Sequence, residues 1–118
     1  MINSLTAPAS LGSMGVLNNH APLLTTLETG LLTYKKTGHE QEAYCLALDS
    51  GIMEVNNNHV LVLVQAAEKP QDIDLSRAEA AIARAKERLA EQSNDLDVQR
   101  AEASIKRAQN RIKALQWP

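Results

Sequence analysis

Residues 73–89 read IDLSRAEAAIARAKERL, and residues 96–112 repeat them as LDVQRAEASIKRAQNRI, with nine identities in 17 positions at an offset of 23. Leu75, Ala78, Ile82, Ala85 and Leu89 are spaced 3-4-3-4, as are Val98, Ala101, Ile105, Ala108, Ile112 and Leu115. That is the period of an amphipathic helix burying one seam. The polar break Ser93-Asn94-Asp95 is short enough to force the two helices antiparallel. Asp72 or Asp74 is expected to cap the first helix, and Asp95 or Asp97 the second, because a carboxylate accepts the free N–H groups of a first turn. Alanine fills every d position of the seam except the last. At about 25 cal/mol per Å2 such layers gain little, so the hairpin is marginal alone and a ligand or partner can move it.

With Leu75 and Val98 as position a, Arg77, Arg84, Arg100 and Arg107 fall at c, and Arg88 and Arg111 at g. Positions g and c are neighbours on one side of the seam, and antiparallel pairing sets both stripes along the same side of the hairpin. Helix propensity does not account for arginine at matched positions, where Lys or Gln would serve equally well. Two readings fit. The arginines form a solvated face paired with Glu79, Glu87, Glu91 and Glu102, or they form an anion site in which guanidinium forks hold a polyphosphate. In the second, Arg77 lies level with Arg107 and Arg111, and Glu68 and Asp74 at the same end accept protons from an adenine amino group or orient the arginines.

Upstream of Pro70 the period changes to two. Residues 23–27, 31–35, 42–48, 52–55 and 60–64 are β-type runs separated by Glu28-Thr29-Gly30, Lys36-Thr37-Gly38, Asp49-Ser50-Gly51 and Asn56-Asn57-Asn58. The three asparagines predict a tight hairpin, since Asn tolerates a left-handed backbone. Gly12-Ser13-Met14-Gly15 reads as a turn. Strands spaced about ten residues apart predict a sandwich or flattened barrel. With no Phe and two Tyr, its core must be aliphatic. The fold is therefore α+β in two parts, an antiparallel β-sandwich over residues 1–70 and a two-helix hairpin over 71–118.

The chain has 118 residues and a net charge of −2, divided into three basic and seven acidic groups up to residue 72 and nine basic and seven acidic after it. Nothing in that field draws the molecule to nucleic acid or anionic lipid. One cysteine excludes an internal disulfide, and no apolar run reaches the roughly 20 residues of a membrane span. The start lacks the basic and apolar regions of a signal peptide, so a soluble, intracellular protein is expected. There is no phosphate-loop motif, no metal-ligand spacing, and no nucleophile beside a base, so catalysis is not expected. Cys45 reads as core, whereas Trp117 packs on the hairpin or touches a partner, and the sequence does not choose.

The run from Gly12 through Gly15, Val16, Leu17, His20, Ala21, Pro22 and Leu23 to Thr25 resembles the Gly-x-x-Gly-[Ile/Val]-Leu-x-x-His-Ala-Pro-Leu signature of the epsilon subunits of bacterial F-type ATP synthases. The similarity continues through Gly30, through residues 48–55, and through Ala66-Ala67-Glu68 into Ile73-Asp74-Leu75-Ser76-Arg77-Ala78. It implies a sandwich that binds the gamma subunit and the ring of c subunits in the rotating stalk, with rotor contacts at Gly12, Gly15, His20 and Pro22. It implies a hairpin that either folds against the sandwich or extends into the alpha/beta hexamer and obstructs ATP hydrolysis. In family members that bind ATP the nucleotide holds the folded form; the positions matching here are Glu68, Ile73, Asp74, Arg77, Arg84, Arg107 and Arg111, with no metal. The resemblance places the protein peripherally on the cytoplasmic face of the bacterial membrane. It also implies a first strand and turn, about 15 residues, ahead of the position of Met1, and without them an unpaired sheet edge is expected. A different class of function, a free-standing helical adaptor pairing through its heptads, would be told apart by co-purification with gamma.

Overall fold

The computed structural model describes residues 2–9, 12–17, 21–39, 41–91 and 94–117. Eight strands are found among them: β1 (Ile2–Ala9), β2 (Gly12–Leu17), β3 (Leu23–Leu27), β4 (Gly30–Lys36), β5 (Tyr44–Leu48), β6 (Gly51–Asn56), β7 (His59–Val64) and β8 (Ala67–Glu68). A short 3-10 turn, Pro70–Asp72, leads to the helices α1 (Leu75–Glu91) and α2 (Asp95–Gln116). All strand pairs are antiparallel in the order β7-β6-β3-β1-β4-β5-β8, with β2 on β1. The sheet folds over on itself. Leu32 and Leu48 from β4 and β5 share a core with Met53 and Val55 from β6, joined by Leu5, Ala7, Val16 and Leu27. The result is an aliphatic β-sandwich, as the composition requires.

Local chemistry explains the connections. Asn56 faces His59 across β6 and β7, and the two residues between, Asn57 and Asn58, have φ of 51° and 61°. A two-residue loop with both residues left-handed matches the twist of the flanking strands. Gly51 is paired on both sides, with Leu27 and Val64. A Cβ there would run into the Leu63 carbonyl oxygen and lie 2.8 Å from the Val64 Cα, so the close approach demands glycine.

Residues 12–15 are not the expected turn. Gly12 pairs with Ala9 and Gly15 with Thr6 as part of β2, so ladder formation with β1 overrides the weak strand preference of glycine. β1 spans Ile2–Ala9, ahead of the first β-type run recognised in the sequence at residues 23–27. β5 starts at Tyr44 rather than residue 42, and β8 has no counterpart in the periodicity.

The helices begin where polar side chains accept their first N–H groups. Asp74 Oδ1 accepts from the Arg77 backbone at 3.2 Å. At α2 the cap is Asn94, whose Oδ1 accepts from the Asp97 backbone at 2.9 Å, and neither expected aspartate fills that role. Asp95 and Asp97 instead occupy the first turn, where their charge suits the helix dipole. Ala78, Ala85, Ala101 and Ala108 are at most 2% exposed and form the seam. Leu75, at its edge, is 47% exposed. α2 lies on the outer face of β4 and β5, where Cys45, Ala47 and Ala114 are buried with Leu31, Ile73 and Trp117 packed around them. Burial pushes the Cys45 thiol up from its ordinary value. No helix is long and apolar enough to cross a membrane among the described residues.

Candidate functional site

The arginine side of the hairpin opens onto the linker between sheet and helices. Arg77 and Arg84 from α1 and Arg111 from α2 line one cleft of about 510 Å3, together with Glu68 of β8 and with Asp72 and Asp74 of the linker. Ala78, Ala80 and Ala81 complete its wall, and their small side chains leave the space open. The volume lies within the range of sites that hold small organic ligands, about 300–1,000 Å3.

Arg111 is held by Glu68: its Nε donates to Oε1 at 2.7 Å, with both side chains about one-third exposed. Arg107 lies one turn back and lines an adjoining recess of about 10 Å3 with Thr29, Asp49, Glu68, Asn110 and Arg111, room for about one water. Its Nη2 donates to Ser104 Oγ at 3.2 Å. Glu68 and Arg111 border both spaces, so the ion pair forms the wall between cleft and recess. Thr29 Oγ1 donates to Asp49 Oδ1 at 3.1 Å on the far side of the recess.

The six-arginine stripe expected from the heptads therefore divides along the helix axis. Arg77, Arg84, Arg107 and Arg111 gather near the linker, whereas Arg88 and Arg100 line neither space because they lie toward the loop joining the helices. Among the described residues no arginine pairs with Glu79, Glu87, Glu91 or Glu102. Glu68 and Asp74 enter the cleft, but Ile73 packs among Cys45, Ala47 and Ala114 and does not line it. Of the residues matched to rotor contacts, Gly12 and Gly15 lie in β2 and Pro22 is exposed ahead of β3, none of them lining the cleft. His20 lies outside the described residues.

Asn110 escapes the sequence reading. It occupies heptad position f, normally solvated, yet it is only 7% exposed. Its Nδ2 donates to the carbonyls of Gly30 at 2.8 Å and Leu48 at 3.3 Å. The one hint in the sequence is that Asn110 stands opposite Glu87 in the repeat, an uncharged break in a charged outer face. Chemically, the cleft offers guanidinium forks for a multiply charged anion and carboxylates for a group bearing N–H donors.

Residues 1–70 match the family model of the beta-sandwich domain of the ATP synthase delta/epsilon chain, and residues 71–116 match that of its long alpha-helix domain. The chain is 48% identical over 88 residues to ATP synthase epsilon chain 2 of Syntrophotalea carbinolica, covering 75% of this chain and 62% of that one. It is also 48% identical over 88 residues to the ATP synthase epsilon chain of Geotalea uraniireducens, with the same coverage. The chain thus spans about 62% of the length of the curated relatives it matches. A chain in the structure of the Euglena gracilis mitochondrial ATP synthase, OSCP/F1/c-ring, superposes with a TM-score of 0.82 over 97% of this chain and 70% of that one, at 20% identity, and so shares the fold. A sandwich core, an alanine-seamed hairpin docked on its outer face, and both family models in chain order lead to one conclusion: this chain belongs to the ATP synthase delta/epsilon chain family.

Proposed function

We propose that this chain is a non-catalytic central-stalk subunit of an F-type ATP synthase whose hairpin is held on the sandwich by ATP. The observation that carries the nucleotide reading is the convergence of Arg77, Arg84 and Arg111 on one cleft with Glu68, Asp72 and Asp74. The guanidinium groups take the phosphates, with Arg107 behind Arg111, and the carboxylates accept from the adenine amino group. Triphosphate draws Arg111 from Glu68 and relieves the repulsion of cations gathered on one edge. A ligand that prefers the docked hairpin must populate it, although a near-complete swing needs about 5.5 kcal/mol of differential binding. Without nucleotide the hairpin lifts and its basic edge meets the alpha/beta hexamer, slowing hydrolysis.

The rotor side follows from the opposite face of the sandwich. Leu24, Ile52, Leu61 and Leu63 are 42–67% exposed on one face of β3, β6 and β7, an apolar patch suited to the gamma subunit. Gly12, Gly15, His20 and Pro22 are assigned to the rotor contact that includes the c ring. The complex holds the chain peripherally at the cytoplasmic face of the membrane. Calorimetric titration of ATP into the protein tests the site: saturable heat is expected, and its loss in the Arg107→Ala, Arg111→Ala double variant. Equal heats from both proteins remove the site. Equimolar co-purification with gamma, abolished by Leu61→Glu with Leu63→Glu, tests the stalk role.

A further inference from the structure

α2 presents two faces. Ala101 and Ala108 face α1, while residues 107, 110, 111 and 114 span an arc of roughly 100° turned some 120° from the seam, by helix geometry. That second arc holds the buried Ala114, the buried Asn110 and two site arginines. Docking α2 on the sheet and delivering Arg107 and Arg111 are one event. The apolar part of the contact sets Ala114 against Cys45 and Ala47, with Leu31, Ile73 and Trp117 packed around them, and hydrophobic contact has no direction of its own. Asn110 supplies direction. Both its partners are carbonyls, those of Gly30 and Leu48, which face each other across β4 and β5. Two acceptors admit only the NH2 end of the amide, so its orientation follows from the chemistry. Rotation of α2 by one residue, about 100°, would break both bonds and carry Arg111 away from Glu68.

We infer that Asn110 is a positioning residue: it fixes the rotation of α2 on the sheet and thereby holds Arg107 and Arg111 at the anion cleft without touching the ligand. The inference rests on the nucleotide reading above for its consequence, and on the geometry of Asn110 for its cause. Two bonds of ordinary net strength correspond to about a tenfold effect or more. The test combines ATP calorimetry with amide hydrogen exchange in the full chain, on wild type, Asn110→Ala, the similarly sized Asn110→Leu, and Ile112→Val, which loosens the seam without touching the amide. Both Asn110 variants are expected to weaken ATP binding about tenfold. They should also speed exchange along α2, with β1, β4 and β6 unchanged, showing that the sandwich remains folded. Ile112→Val should keep its affinity within about twofold. Wild-type affinity and exchange in both Asn110 variants overturn the inference, as does an affinity loss in Ile112→Val equal to theirs. If wild type gives no ATP heat, the nucleotide reading fails, and exchange along α2 alone decides the role of Asn110.

Discussion

Arg111 reaches across from the second helix to Glu68 on the last strand, Nε to Oε1 at 2.7 Å, and so ties the helical hairpin to the sandwich. With both side chains about one-third exposed, this tie is weak, worth under about 1 kcal/mol after solvent screening. Glu68→Gln is therefore expected to lower the unfolding free energy by no more than that, and to flatten its dependence on salt. Urea titrations at low and high ionic strength measure both.

Arg84→Ala removes a fork that no carboxylate within ion-pair distance occupies among the described residues. Its cost should appear in nucleotide binding and not in folding, with affinity falling about tenfold or more for a lost charge-assisted bond. An unchanged midpoint of thermal unfolding beside a weakened calorimetric isotherm is the expected pair of results.

Ala108 is fully buried between the helices. Ala108→Leu forces them apart and should cost about 1–3 kcal/mol, read as earlier loss of helical signal in urea. The sandwich, whose core is separate, should melt as before.

Gly51→Ala places a methyl against the backbone of β7. The strands must separate, and a loss of more than about 2 kcal/mol is expected. Asn58→Gly, at a left-handed position in the neighbouring hairpin, should be neutral or stabilising, whereas Asn58→Val should cost about 1–3 kcal/mol. Chemical denaturation of the three variants ranks them.

Burial raises the Cys45 thiol, so the unfolded chain loses that proton first as pH climbs. The unfolded state then binds fewer protons than the folded one, and stability falls once pH passes the ordinary thiol value of about 8.5. Below that value the thiol is protonated in both states and contributes no slope. Unfolding free energies between neutral and alkaline pH should show the decline, and Cys45→Ala should remove this part of it.

The hairpin and its seam were legible because a seven-residue period over two copies has one physical solution, and Ala78, Ala85, Ala101 and Ala108 occupy it. The β6–β7 turn was legible because two left-handed residues call for Asn or Gly. What stayed hidden was whatever a second layer decides. β2 could not be read from Gly12 and Gly15, since only pairing with β1 makes them a strand. The burial of Asn110 and Ala114 went unread because a heptad describes one face of a helix, and here α2 uses two. Ile73 was matched to an ATP-binding position by resemblance, and the packing of its side chain in the apolar cluster beneath α2 was not legible in the sequence. The level of Arg77 with Arg107 and Arg111 was legible once the helices were paired antiparallel, whereas the separation of Arg88 and Arg100 from both spaces was not.

α2 lies between α1 and the sheet, and α1 makes its extensive contacts with α2. The outer helix is thus a passenger: among the described residues it has no broad grip of its own on the sandwich, and it would travel with its neighbour. A fluorescent pair spanning α1 and β4 would consequently report departure of the middle layer, and tension applied to the outer helix would be borne by the amide and the small methyls underneath.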